Sequence, residues 1–164
     1  MTPLHLPWLP AALPDFTAAC RTLRSTQPFD AAAFRRLATL RLNLQQLTTL
    51  ARALPKTVAE MPAGALRLSV LSNATTDLLT PAIAATAPRH DLWFEVRAGA
   101  FGTYAQEVMD LASQTHQWHP DLALLALDYR AFDLRVCAGD EAQANGRVEA
   151  AINSLFGLAT MMQR

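Results

Sequence analysis

Apolar side chains recur three and four residues apart through the first third of the chain, and later give way to short, nearly continuous apolar runs. Phe16, Ala19, Cys20 and Leu23 follow Asp15 at helical spacing, which predicts a first short helix with Asp15 accepting backbone N–H bonds as its cap. Asp30 stands in the same relation to "AAAFRRLATLRL" and Asn43 to "LQQLTTLARAL". In the latter, Leu44, Leu47, Leu50, Ala51 and Leu54 share one face, and Pro55 is the expected terminator. Three amphipathic helices in a row need something else to bury their apolar faces.

The period changes at Arg67. "RLSVLS", "LWFEVR" at 92–97 and "LALLALD" at 122–128 are apolar on nearly every residue, which is how strands buried on both faces read. Helical patterns separate them over 75–86 and 103–112, and "EAQANGRVEAAINSLFGLATMM" follows Gly139 and Asp140 as a last helix. Strand and helix in strict alternation predict an α/β fold: a Rossmann- or flavodoxin-like three-layer parallel sheet with right-handed crossovers. The expected organisation is an N-terminal strap with helices over 1–57 and an α/β domain over 58–164.

Ligands in such sheets bind beyond the carboxyl ends of the strands. Those ends carry Ser72 and Asn73, then Arg97 through Gly102, then Asp128, Tyr129 and Arg130. Asn73 or Thr75 suits the N-cap of the helix that follows, with Asp77 adding favourable charge in its first turn. The same helix start, with the hydroxyls of Ser72, Thr75 and Thr76, would also cradle a phosphate or carboxylate. The alternative function is an esterase or thioesterase with Ser72 as nucleophile, which needs a base and an oxyanion hole within hydrogen-bond reach. His90 precedes the second strand, and His116 and His119 precede the third, which places all three toward the opposite rim. "HQWHPD" has two His at i and i+3, yet Pro120 favours a loop entering the third strand over a metal site.

Composition narrows the class without changing this picture. The chain of 164 residues, 51% apolar and 17% charged, is long enough for one globular domain. Cys20 and Cys137 lie in no metal-like spacing and fit a reduced cytoplasm, so no metal is expected. The apolar start "MTPLHLPWLPAALP" lacks a leading Lys or Arg and carries four prolines, so it reads as a strap and not as a secretory signal. No run approaches the roughly 20 apolar residues of a membrane helix. Net charge is zero, but up to Lys56 seven basic residues face two acidic ones, +5, and beyond it seven face twelve, −5. With few lysines and no aromatic interleaving in the basic part, nucleic acid is not the expected partner. The basic part is either a solvated helix face or a docking surface for an acidic partner or for the chain's own acidic half.

Five stretches in order, "LPWLP", "LNLQQLTTLARAL", "VLSNATTDLLTPAI", "FGTYAQEVMD" and "HPDLALLALDYR", together resemble the N-terminal region of FkbH-like proteins, HAD-superfamily relatives of polyketide pathways. The resemblance implies an SGNH-hydrolase-like domain accessory to an enzyme that draws a glyceryl unit from a bisphosphoglycerate and places it on an acyl carrier protein. It implies that the chemistry, with its Mg, belongs to a HAD domain bearing a DxDxT motif and a cysteine, downstream or in trans. This chain has no such motif, and no cofactor is expected in it. In SGNH hydrolases the first strand ends in Gly-Asp-Ser; "LSN" stands there, so Ser72 and Asn73 are the residues carried over, and the late Asp-x-x-His is missing. By the same comparison the sheet stops short of a full flavodoxin-type sheet at Arg164. Because carrier proteins are usually acidic, the resemblance makes Arg35, Arg36 and Arg41 the expected contact with one, and a homodimer through the N-terminal helices or the unfinished sheet edge is compatible with it. Gly102 and Asp128 join Ser72, Asn73, Thr75 and Thr76 as the expected ligand- or anion-binding rim, with Asp128 open between orienting a ligand, binding a cation and capping the turn into "YRAFD".

Overall fold

The computed structural model describes residues 8–162. The strap's first seven residues lie outside that range. Three helices come first: α1 Phe16–Ser25, α2 Ala31–Ala38 and α3 Leu44–Ala51. They alternate thereafter with strands: β1 Leu66–Ser72, α4 Leu79–Thr86, β2 Phe94–Ala98, α5 Tyr104–Met109, α6 Gln114–Trp118, β3 Leu122–Ala126 and α7 Glu141–Met162. The strands form a parallel sheet in the order β2-β1-β3, flanked by helices, as an α/β Rossmann-like fold requires.

Of the caps expected for the first three helices, two form. The Asp30 side chain accepts the Ala33 N–H at 2.8 Å, and Asn43 and Gln46 make a reciprocal capping box at 2.9 Å each way. Asp15 sits at the N-cap of α1, but its side chain makes no capping bond. Its backbone carbonyl instead accepts the Ala19 N–H at 3.0 Å. α3 ends at Ala51, four residues before Pro55, with Arg52 as its cap residue.

The chain divides into two compact units. Among the described residues one comprises those up to Leu68 with Asp77–Val96, and the other Ser69–Thr76 with those from Arg97 on. The first unit's core joins one face of each early helix to Ala85 of α4 and to Trp93: Phe16, Cys20, Leu23, Phe34, Leu37 and Leu50 are all buried. At its centre Phe34 and Phe29 lie 5.7 and 5.8 Å from Trp93, the latter edge to face. Arg89 donates from Nε to Ala38 O and from Nη2 to Leu40 O at 3.0 Å, satisfying carbonyls that the end of α2 leaves without helical partners. Burial lowers its pKa from the ordinary arginine value.

The second unit's core is smaller, with Leu71, Val108 and Leu158 buried and Tyr104, Leu125, Leu127 and Met162 packed against them. Gly99 donates its N–H to Val70 O at 2.9 Å, and a Cβ there would lie 2.8 Å from Leu71 Cδ2, so glycine permits this close approach.

Three further expectations are corrected. β3 is not buried on both faces: Leu122 is 47% and Leu124 37% exposed. An unbroken apolar run shows that neither face is polar, not that both are covered. α4 begins at Leu79 and not at 75, so neither Asn73 nor Thr75 is its cap; the N-cap position is Leu78, with no side-chain bond. Pro81 explains the later start, because a proline is accommodated in a first turn but would break the interior of a helix begun at 75. Finally, the segment containing His116 is helical: α6 is capped by Ser113, whose Oγ accepts the His116 N–H, and it ends where His119 takes φ 53°.

Candidate functional site

β1 and β3 deliver their polar ends to one place within the second unit. Freed from capping α4, the Asn73 amide turns to the chain beyond β3: its Nδ2 donates to Asp128 Oδ1 at 2.7 Å, and its Oδ1 accepts the Asp128 N–H at 3.1 Å. An amide can do this because it carries a donor and an acceptor side by side. Ser72 closes the same junction one residue earlier, its buried Oγ donating to Ala126 O at 2.7 Å and accepting the Ala74 N–H at 3.0 Å. Gly102, at φ 72°, donates its N–H to Ser72 O at 3.3 Å. Ser72, Asn73, Gly102 and Asp128 are therefore brought together by direct hydrogen bonds. Thr75 and Thr76 follow on the link leading away, the first exposed and the second buried. Arg35, Arg36 and Arg41 lie in the other unit. There Arg35 ion-pairs with Asp91, Arg36 lines a hollow of about 520 Å³ beside Leu37 and Leu40, and Arg41 donates its backbone N–H to Pro10 O at 2.7 Å.

Arg130 completes the rim. Its backbone N–H bonds Asp128 Oδ1 at 2.9 Å, while Nε and Nη2 reach Oδ2 at 2.9 and 2.7 Å. The Arg130 side-chain bonds first, then the Asn73 amide, bring the Asp128 pKa down from 3.8 to about 2. A carboxylate whose folded pKa lies below its unfolded value stabilises the fold above the unfolded pKa and loses that contribution as pH falls through the folded one. The stability difference between wild type and Asp128→Asn should therefore shrink as pH is lowered from 3.8 toward about 2, read as urea midpoints. A difference that stays constant across that interval would mean the carboxylate charge plays no part.

The chemistry this arrangement offers is limited by its own pairing. The Ser72 hydroxyl proton goes to a backbone carbonyl and not to a His or carboxylate, so no base draws it away. His116 instead places Nε2 3.0 Å from Val108 O. Asp128 already spends both oxygens on Asn73 and Arg130, and among the described residues no group of three His, Cys, Asp or Glu could hold a metal ion. The rim offers one carboxylate, that of Asp128, and it is already paired with Arg130. Among the described residues no helix is long and apolar enough to cross a membrane.

Two residues placed by the sequence at the strand ends, but given no role there, take part. Arg130 stood next to Asp128, and an Asp-x-Arg at a strand end is the signal that would have found it. Arg97 lies with its guanidinium 4.4 Å from the centre of the Trp118 ring, and with Ser69, Glu107 and Thr115 it lines a hollow of about 70 Å³. Recognising that pair required knowing that α6 is a helix.

The chain matches no protein-family model and no curated protein. Among solved structures it is similar to the N-terminal part of a Bacteroides fragilis protein containing a phosphatase domain, crystallised in complex with Mg. The two share 16% identity at a TM-score of 0.50, over 68% of this chain. This chain spans 29% of that one. At such identity the likeness shows a shared fold.

Proposed function

We propose that the chain is the N-terminal accessory domain of an FkbH-like enzyme of polyketide biosynthesis, working in the cytoplasm. It positions an acyl carrier protein, or the substrate, for glyceryl transfer from a bisphosphoglycerate by a HAD domain downstream or in trans, where Mg would be held. The observation that carries this reading is the conjunction of the ordered sequence resemblance with a fold shared with the N-terminal part of a phosphatase-domain protein. In this reading Arg35, Arg36 and Arg41 meet the acidic carrier protein. The rim of Ser72, Asn73, Gly102 and Asp128, with Thr75 and Thr76 beyond, faces the anionic substrate, which has to compete with Asp128 for Arg130. The test is a titration with the pathway's carrier protein at low and high salt. Binding that weakens with salt, and weakens further in Arg36→Glu/Arg41→Glu, is expected, whereas no binding at either salt ends the reading.

A second reading, a dimerisation module, rests on α7. Val148, Ile152, Leu155 and Phe156 recur at helical spacing and are exposed, Phe156 at 69%. From Ala150 to Met162 the helix carries no charged residue, so two copies meeting there would bring no like charges together. Sedimentation velocity should show a dimer that Ile152→Glu/Phe156→Glu converts to monomer, and a wild-type monomer at all concentrations removes this reading.

A further inference from the structure

A second concavity, in the helical unit and sharing none of the rim's residues, is built from the ends of α1 and α3 and the segments that follow them. It encloses about 880 Å³, within the roughly 300–1,000 Å³ usual for small-molecule sites. Leu23, Phe29 and Leu54 give it an apolar floor, and Arg24, Arg52 and Lys56 stand on its lining. None of these three cations has its charged head in an ion pair or side-chain hydrogen bond among the described residues.

Part of this charge has a local reason. Arg24 lies in the last turn of α1 and Arg52 caps α3, where cations offset the negative ends of the helix dipoles. Lys56 has no such task, since it stands five residues beyond α3, yet it lines the same hollow. Glu60 contributes a carboxylate to the lining, so the side chains there sum to a net charge of +2. Arg52 and Lys56 also line an adjoining hollow of about 320 Å³, so the segment Ala51–Lys56 presents its cations to two neighbouring concavities.

We propose that this hollow is a binding site for a small organic phosphate, its anionic group held by Arg52, Lys56 and Arg24 and its apolar body laid on Leu23, Phe29 and Leu54. Guanidinium forks match phosphate geometry in two-point contacts, and a lysine beside them adds a mobile point charge. A concave hollow of this size suits a compact molecule better than an extended peptide, which needs a long groove or a sheet edge.

The experiment is calorimetric titration of the whole chain with 1-naphthyl phosphate, with 1-naphthol and inorganic phosphate as arms that each lack one half. The expected result is that naphthyl phosphate binds about tenfold or more tightly than either half, and that Arg52→Ala/Lys56→Ala weakens it about tenfold with circular dichroism unchanged. All three cations are exposed, so these variants should fold. A charge-conserving Arg52→Lys variant should retain part of the affinity. Naphthyl phosphate binding no better than its halves, or equally well in the double variant, overturns the proposal. So does an acidic peptide that binds through Lys56 while naphthyl phosphate does not, because the site would then be a macromolecular one.

Discussion

Phe34→Ala should destabilise the protein by about 3–5 kcal/mol, the range for removing a large aromatic from a sealed core. Phe34 is fully buried, lies 5.9 Å from Phe29 and 5.7 Å from Trp93, and sits where α2 meets the rest of the helical unit's core. Removing the ring leaves its partners Phe29 and Trp93, which meet it at tilted angles, facing a hole at the centre of the cluster. Urea unfolding should show a lower midpoint at an unchanged slope. A loss under about 1 kcal/mol would show that the cluster collapses freely and that the helices are held by something else.

The second large effect lies in the other core, at the contact of Gly99 with Leu71. Leu71→Ala should cost about 2–5 kcal/mol and Gly99→Ala about 1–3 kcal/mol, the first by opening a cavity and the second by overpacking. The two should not add. The carbon introduced at Gly99 lies 2.8 Å from Leu71 Cδ2, the atom that the first substitution removes, so the double variant should be more stable than the sum by about 0.5–3 kcal/mol. Strict additivity would show that the backbone moves aside, and that the 2.9 Å bond from Gly99 N–H to Val70 O does not hold the approach.

What could be read from the chain and what could not divide along the range of the forces involved. The caps at Asp30 and Asn43 form within three residues, and both were legible. The strands and their common direction followed from apolar runs alternating with helical periods, because that alternation leaves few ways to bury both. The gathering of Ser72, Asn73 and Asp128 at one rim followed from strand direction alone. The partner of Asn73 did not, since a capping bond to its own helix and a bond to Asp128 55 residues away use the same atoms. Pro81 held the missing information, as it limits how early α4 begins. α6, of five residues, is too short for periodicity to register. The exposure of Leu122 and Leu124 depends on what lies over the sheet, which no local pattern encodes.

Interleaving of the two compact units has a practical consequence. The polypeptide passes from one to the other after Leu68, returns after Thr76 and leaves again after Val96. No single cut separates them. A fragment ending at any of these crossings, two of which fall inside β1 and β2, would leave core residues without their packing partners, so grafting, shuffling between homologues or split-protein reconstitution has to move the whole span as one block.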